Sequence, residues 1–387
     1  MFKPIKRNRR FKAVIYYLVG SMLVVVVAFV LRFSYFTNIN NQFVDRLHGN
    51  LANRDEIVVI GIDDKSLNEL GSWPWNRSVY GTLLDIIPES STVAFDILFL
   101  EEREGDTKFA NSISSFESNI VFASKFVDGQ YYESIYNNEN IEHGYVNYIP
   151  DSDGKIRSST VHNSIEGSDN NCVNSFPVQI ISNHLNLESK SDCELNLRSL
   201  EGKNEFMFNY ALDEFKYYSF IDVYNNKVDK EMFYGKIVII GVTATDLKDG
   251  ASDTFIDVFG RTTPGVVIHA NVINSILEGK IQESVPFVYW LLVAYIFAIF
   301  LMFLNKYIKT YYLHIGIYFL VCILSVLLGI VLFDNGYNWL FVQTLLLISI
   351  IFMYSVAYQY INSFFWTFYY LFQKCRINIF TKSLPND

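Results

Sequence analysis

The sequence predicts an extracytoplasmic α/β domain, a mixed sheet flanked by helices, combined with four transmembrane α-helices. Three observations lead to this fold class. Four long apolar segments stand out in a chain of 387 residues that is 51% hydrophobic. Between the first two of these segments, short apolar runs alternate with helical patterns, which is typical of α/β layering. Charged residues are also divided unevenly between this middle region and the ends of the apolar segments.

Each apolar segment is long enough to cross a hydrocarbon core of roughly 30 Å. The predicted transmembrane helices cover residues 13–31, 287–304, 311–333 and 339–361. The first could instead be a signal peptide, because residues 1–12 form a basic segment. Its apolar run is about 19 residues long and no small-x-small cleavage site follows, so we predict a retained helix.

Basic residues predict the orientation of the helices. The six Lys and Arg residues before Ala13 should stay in the cytoplasm. Alternation then places Lys306 and Lys309 inside, Asp334 outside, and the interfacial tail 362–387 inside. We therefore expect a multi-pass protein of the bacterial inner membrane with both termini in the cytoplasm.

The domain between the first two helices is acidic. Residues 33–286 contain 19 Lys and Arg against 38 Asp and Glu, a net charge of −19. This charge argues against nucleic acid as a partner, and the basic ends are explained by contact with membrane lipid.

The predicted domain spans residues 32–286. Apolar runs bounded by turn residues predict strands at 57–62, 93–99, 119–124 and 236–242. Helical patterns cover residues 65–70, 77–87, 108–116, 176–185 and 265–278, and Asn76 and Pro264 suit the starts of two of them. Residues 128–204 are rich in Asn, Ser, Asp and Glu, so we expect loops, edge strands and the 176–185 helix there.

Polar residues follow or end the predicted strands, where ligands gather in open α/β sheets. Asp63 follows the first strand, Asp96 lies in the second, and Thr243 and Thr245 follow the last. These four are candidate ligand contacts. In the structural alternative, Asp64 caps the next helix and the threonines satisfy turn amides.

Two further groups are candidate ligand contacts. Trp73 and Trp75 lie beside Arg77, a combination that can stack a planar group and hold an anion. We favour the alternative in which the tryptophans cover the core and Arg77 pairs with an internal acid. His269 lies on a helix that is apolar nearly all round, where a histidine is usually a hydrogen-bonded core residue.

The segment 150–154, Pro-Asp-Ser-Asp-Gly, resembles a calcium loop, but the further acidic ligands of an EF-hand are missing. We favour a turn closed by Gly154. No catalytic motif and no structural zinc cluster are evident, so we predict neither an enzyme nor a bound cofactor or metal.

Two cysteines, Cys172 and Cys193, lie in the predicted external domain. A disulfide between them would close a loop of about 20 residues and stabilise the domain by roughly 3 kcal/mol. The alternative is a pair of reduced thiols in a variable insertion.

The ordered series of motifs resembles the type 2 CHASE sensory domain, an extracellular module associated with bacterial cyclases and histidine kinases. The resemblance runs from about Phe43 to Glu283. Its segments are 57–67, IVVIGIDDKSL; 71–77, GSWPWNR; 95–99, FDILF; 144–147, GYVN; 150–157, PDSDGKIR; 175–177, SFP; 235–241, GKIVIIG; and 264–270, PGVVIHA.

The resemblance implies a receptor with one helix before the sensor, usually three after it, and then an output domain. Residues 362–387 hold no catalytic motif. We therefore expect a sensor that binds an unknown small-molecule or envelope ligand and signals to a separate cyclase, kinase or envelope regulatory protein. A homodimer is expected by analogy with sensor receptors. The alternatives are a structural envelope scaffold and the remnant of a receptor that lost its catalytic domain.

Overall fold

The computed structural model describes residues 6–48, 51–165, 172–187, 197, 199–211, 213–244, 254–308 and 310–382. The chain forms two compact units. One is the α/β unit, Asp45–Glu283, and the other, the helical unit, combines Met1–Val44 with Ser284–Asp387. The α/β unit therefore begins later than residue 32, where the sequence predicts the start of the domain.

In chain order the helices are α1 (Lys6–Val30), α2 (Ser34–Val44), α3 (Asp64–Leu70), α4 (Ser78–Leu84), α5 (Asp106–Ser115), α6 (Phe176–His184), α7 (Phe220–Tyr224), α8 (Gly265–Leu277), α9 (Phe287–Tyr307), α10 (Tyr311–Asp334) and α11 (Phe341–Lys382). The strands are β1 (Ile57–Ile62), β2 (Thr92–Asp96), β3 (Ile120–Val127), β4 (Gln130–Tyr132), β5 (Ile141–Tyr145), β6 (Ser158–Thr160), β7 (His162–Ser164), β8 (Cys172–Asn174), β9 (Glu205–Phe208), β10 (Lys216–Ser219), β11 (Ile237–Val242), β12 (Thr254–Ile256), β13 (Thr262–Pro264), β14 (Ile281–Ser284) and β15 (Tyr337–Asn338).

The main sheet of the α/β unit has the order β10-β1-β11-β2-β3, and β3 pairs with both β5 and β4. All of these strands are parallel to their neighbours except β4, which runs antiparallel to β3. The predicted mixed α/β fold is therefore confirmed. Because the parallel strands end at one edge of the sheet, the residues that follow them lie along that edge.

Side chains alternate between the two faces of this sheet, and each face is covered by helices. Ile57 and Val59 of β1 belong to the apolar core that also contains residues of α6 and α8. Val58 and Ile60 belong to the core on the other face, with residues of α4, α5 and α7. The unit thus has three layers, which explains why its central strands are apolar on both faces.

A second, antiparallel sheet contains β6, β9 and β14. Ile281 of β14 pairs with Phe208 of β9, and Thr160 of β6 pairs with Glu205 at the start of β9. Along the chain, β14 is the last strand of the α/β unit before α9 begins at Phe287.

Four helices of the helical unit are long and apolar enough to cross a membrane. The spans are Phe11–Val30, Phe287–Tyr307, Tyr312–Asp334 and Phe341–Phe365. Polar side chains pair between these helices, as expected where water is excluded. The pairs include Tyr16 with Ser355, Trp290 with Thr344 and Tyr318 with Ser349, at 2.9, 2.8 and 2.8 Å.

The last helix is longer than its predicted membrane segment. The sequence predicts a helix at 339–361 followed by a separate interfacial tail, whereas α11 is one helix of 42 residues ending at Lys382. At 1.5 Å per residue it is about 63 Å long, roughly twice the thickness of a hydrocarbon core. No Pro or Gly occurs within α11, so nothing in its sequence interrupts the helix.

Candidate functional site

Two glycines and one aspartate lie side by side at the carboxyl edge of the main sheet. Gly61 of β1 pairs with Gly241 of β11, which in turn pairs with Asp96 of β2. Asp63 directly follows the end of β1 along the chain, and Thr243 directly follows the end of β11. The structure therefore brings Asp63, Asp96 and Thr243 to one edge, as their positions in the sequence suggest, whereas Thr245 lies outside the described residues.

Asp63 is the N-cap of α3, and its carboxylate is occupied by internal hydrogen bonds. Its Oδ1 accepts from the amide of Ser66 at 2.9 Å, from Ser66 Oγ at 2.6 Å and from Ser219 Oγ at 2.9 Å. The expectation that Asp64 caps this helix is wrong, because Asp64 is its first helical residue. Asp63 thus ties α3 to the end of β10, a strand that the sequence analysis does not predict.

Tyr217 of β10 covers Gly61. Its hydroxyl donates to Asp63 Oδ2 at 3.2 Å and lies 3.0 Å from Thr243 Oγ1. Burial raises the pKa of Tyr217 to about 12, so the phenol stays protonated at neutral pH. A Cβ atom at position 61 would collide with the Tyr217 and Thr243 side chains, so any larger residue would have to displace them. The space above Gly61 is therefore filled by the protein itself.

His269 of α8 lies close to Asp96 at the end of β2. The Nε2 atom of His269 lies 3.8 Å from Asp96 Oδ1, and its Nδ1 atom lies 2.8 Å from the hydroxyl of Tyr148. Burial lowers the pKa of His269 to about 3, so the ring is neutral and its contact with Asp96 is not an ion pair. If Tyr148 donates to Nδ1, the proton on Nε2 faces the carboxylate. His269 is a hydrogen-bonded core residue, in line with the structural interpretation.

The segment from Trp73 to Arg77 packs into the α/β core. Trp75 is 4% exposed, and its Nε1 atom donates to the carbonyl oxygen of Gly71 at 2.8 Å. Arg77 is 3% exposed, and its guanidinium lies 4.3 Å from the centre of the Phe99 ring. Its Nε atom is 3.8 Å from an oxygen of Asp106, so the internal acid expected beside Arg77 is present.

The two aspartates of the 150–154 segment bind the side chain of Arg157. The amide of Gly154 donates to the carbonyl oxygen of Asp151, and Gly154 has a φ of +82°, so the predicted turn is present. Arg157, 1% exposed, donates to Asp151 at 2.6 Å, to Asp153 at 2.7 and 2.8 Å, and to Asp45 at 2.8 and 2.9 Å. Burial alone would lower the pKa of Arg157, but these carboxylates outweigh burial and raise it. The aspartates therefore bind a guanidinium where a calcium loop would bind a metal.

Cys172 takes part in a disulfide bond. Its predicted partner, Cys193, lies outside the described residues, so the pairing of these two cysteines stays a prediction.

A cavity of about 620 Å³ lies at the same carboxyl edge, but beyond the ends of β3 and β5. Its walls include the rings of Phe126, Tyr145 and Tyr148. Asn147 positions the loop after β5, because its side chain accepts from the amide of Phe126 at 2.8 Å and donates to the carbonyl oxygen at 3.0 Å. The volume falls within the range of small-molecule sites, about 300–1,000 Å³.

Sequence reasoning misses this cavity because it misses β5. The strand reads Ile-Glu-His-Gly-Tyr and lacks the apolar run that marks β1 and β11. The available signal was the segment 144–147, which belongs to the family pattern but received no role. The rule that ligands gather at the carboxyl edge points to the correct edge, while the space that is open lies above different strands.

The candidate residues thus fall into two groups. Asp63, Asp96, Thr243 and His269 lie at the carboxyl edge, and Trp73, Trp75 and Arg77 lie in the core beside α4. Their role as ligand contacts stays a prediction. Among the residues that the structure describes, no group of His, Cys, Asp or Glu is placed to hold a metal ion.

Comparison with known proteins identifies the family. No curated protein and no solved structure matches the chain. The family model of the CHASE2 domain matches residues 22–305, a range that contains the whole α/β unit and most of the helix α9. The match covers most of the chain, which therefore belongs to the CHASE2 family of sensory domains.

Proposed function

We propose that the protein is a bacterial inner-membrane sensor whose α/β unit lies outside the cytoplasm, binds a signal and relays it through the membrane helices to a separate output partner. One observation carries this proposal. Residues that line the 620 Å³ cavity are hydrogen-bonded to Arg157, which also holds Asp45 next to α2, and to His269 of α8, the helix that precedes β14 and α9 along the chain.

The first connection runs through Arg157. Asp151 lines the cavity and accepts a hydrogen bond from Arg157, which also holds both oxygens of Asp45. Asp45 directly follows Val44, the last residue of α2, and Lys155 adds a further bond to Asp45 at 2.8 Å. A ligand that moves the Asp151 turn would therefore act on the segment that follows α2.

The second connection runs through α8. Tyr148 lines the cavity, and its hydroxyl is bonded to His269 of α8. After α8 the chain forms β14 and then enters α9. A two-state change in such contacts is the kind of element that can carry a signal between sites, since a ligand shifts only states that it binds differently.

The output belongs on another chain in this proposal, and the protein itself catalyses no reaction. The continuation of α11 to Lys382 offers a helical segment for a cytoplasmic cyclase, kinase or envelope regulatory protein.

Crosslinking in native membranes tests the relay. A tagged full-length chain should recover one such partner, and the matched variant that lacks residues 362–387 should lose it. Tyr148→Phe should keep the partner but weaken the response of its activity to the signal. Identical sets of recovered proteins from the two chains would contradict the proposal. Defective envelope assembly after deletion, without any change in signalling, would favour a scaffold instead.

A further inference from the structure

We infer that the cavity at the ends of β3 and β5 is the signal-binding site and that it takes a small organic cation, a ligand with an ammonium group. This inference rests on the proposed function and adds the place and the chemistry of binding. It follows from the shape, the aromatic walls and the charges of the cavity.

Three aromatic side chains contribute to the cavity wall, those of Phe126, Tyr145 and Tyr148. The hydroxyl of Tyr148 is bonded to His269 at 2.8 Å, and the hydroxyl of Tyr145 is bonded to Thr160. The ring of Phe126 meets that of Tyr145 edge to face, with centroids 5.3 Å apart. Because both hydroxyls already have partners, the tyrosines would meet a ligand through their ring carbons, and aromatic rings attract cations.

One carboxylate in the wall has no ion pair with any residue that the structure describes. Asp151 is paired with Arg157 at 2.6 Å. Glu205, by contrast, is exposed, and the described residues give it no ion pair. Glu205 pairs in register with Thr160, whose hydroxyl contacts Tyr145, so this carboxylate lies on the strand beside the aromatic wall.

The described walls offer an anion little positive charge, since His162 is the only basic residue among the lining residues. None of the residues that the structure places around the cavity is Lys or Arg. The net charge of −19 over residues 33–286 also repels anions and raises the local concentration of cations. Aromatic rings together with a carboxylate that no described residue pairs form the combination that recognises ammonium groups.

The test uses the full-length protein in detergent and choline as the probe. Choline should raise the Tm, whereas dimethylbutanol, its uncharged carbon analogue of the same shape, should not. Putrescine tests whether a primary amine also binds. Glu205→Gln, which keeps the shape of the side chain, should weaken choline binding about 10-fold or more in calorimetric titration.

Glu139→Gln is the matched control, because Glu139 is an exposed glutamate just before β5, at the end away from the cavity. It should bind choline like the wild type. An unchanged Tm of unliganded Glu205→Gln shows that the variant is folded. Three results would each overturn the inference: equal stabilisation by choline and its neutral analogue, no stabilisation by either choline or putrescine, or an unaltered affinity of Glu205→Gln for choline. None of these results affects the partner experiment, which judges the relay separately.

Discussion

At the scale of single residues, two buried side chains of the α/β unit stand out, the guanidinium of Arg157 and the imidazole of His269. Arg157 is 1% exposed and meets three carboxylates from two parts of the chain. His269 is also 1% exposed and stays neutral because burial lowers its pKa to about 3. Each side chain has at least one partner far away in the sequence, so we expect each to contribute to the stability of the folded unit.

Arg157→Met should strongly destabilise the protein. Removing the guanidinium leaves Asp45, Asp151 and Asp153 close together without their main counter-charge, which typically costs about 3–5 kcal/mol. For a unit of this size we expect the Tm to fall by roughly 10 °C in a thermal unfolding experiment.

Two controls accompany this prediction. Arg103→Met removes a more exposed arginine paired with Glu101 and should change the Tm little. Adding Asp45→Asn to Arg157→Met should recover part of the loss, because it removes one uncompensated charge. Equal, small effects of the two arginine variants would contradict a stabilising role for the buried cluster.

The pKa of His269 predicts acid sensitivity. The folded-state pKa of about 3 lies below the ordinary value of 6.5, so the folded protein favours the neutral form of His269. The contribution of this residue to the free energy of unfolding is complete above pH 6.5 and is lost as the pH falls toward 3. The contribution lost by pH 5 is about 2 kcal/mol. His269→Gln does not titrate, so its Tm should fall less than that of the wild type between pH 7 and pH 5. Parallel falls in Tm would show that other groups, such as the buried His48, cause the sensitivity.

At the scale of elements, α8 lies directly against the carboxyl end of β11. The Cβ of Val266 would be only 2.7 Å from a Cβ atom at position 241. The close contact lets His269 reach Asp96 from one side and Tyr148 from the other. Helix, strand and cavity wall are thus joined through one histidine.

Gly241→Ala should force α8 away from β11. Overpacking of this kind costs about 1–3 kcal/mol, so we expect a Tm lower by several degrees. Gly316→Ala is the control, because a Cβ atom there meets no described atom within 4 Å and alanine favours a helix. Differential scanning fluorimetry of the full-length variants measures both effects. An unchanged Tm for Gly241→Ala would mean that α8 can shift without cost.

At the scale of the whole molecule, an acidic α/β unit stands in the chain between one apolar helix and three more. The expected arrangement, with the α/β unit outside and both termini inside, rests on the distribution of Lys and Arg. Hydrogen-bonded contacts lead from the cavity to Asp45, the residue after α2, and to α8, so the α/β unit contains links toward both of its ends along the chain.

Reporter fusions test this topology. Alkaline phosphatase, which is active only outside the cytoplasm, should be active when fused after residue 286 or residue 335 and inactive after residue 309. Green fluorescent protein at the C-terminus should be fluorescent, because it folds in the cytoplasm. The opposite pattern would invert the predicted orientation and place the α/β unit inside.

Much of the element pattern could be predicted from local sequence. The apolar strands β1 and β11, the helix α8 and the four long apolar helices each carry a strong periodic or compositional signal. Strands β5 and β10 lack this signal, because they contain polar residues and tyrosines and are stabilised by neighbours far away in the sequence. The site inherits this limitation, since Tyr145 and Tyr217 belong to those strands.

The sequence by itself determined the fold class, the four long apolar helices and the family, because these depend on composition, periodicity and ordered motifs. Only the tertiary structure decided which polar residues are free to bind. Asp63 and Arg77 resemble ligand contacts in sequence but are held by internal partners, whereas Glu205 lacks any such mark and lines an open cavity. Whether a polar group already has hydrogen-bond partners depends on residues that folding brings together. Local sequence does not show which distant residues come into contact.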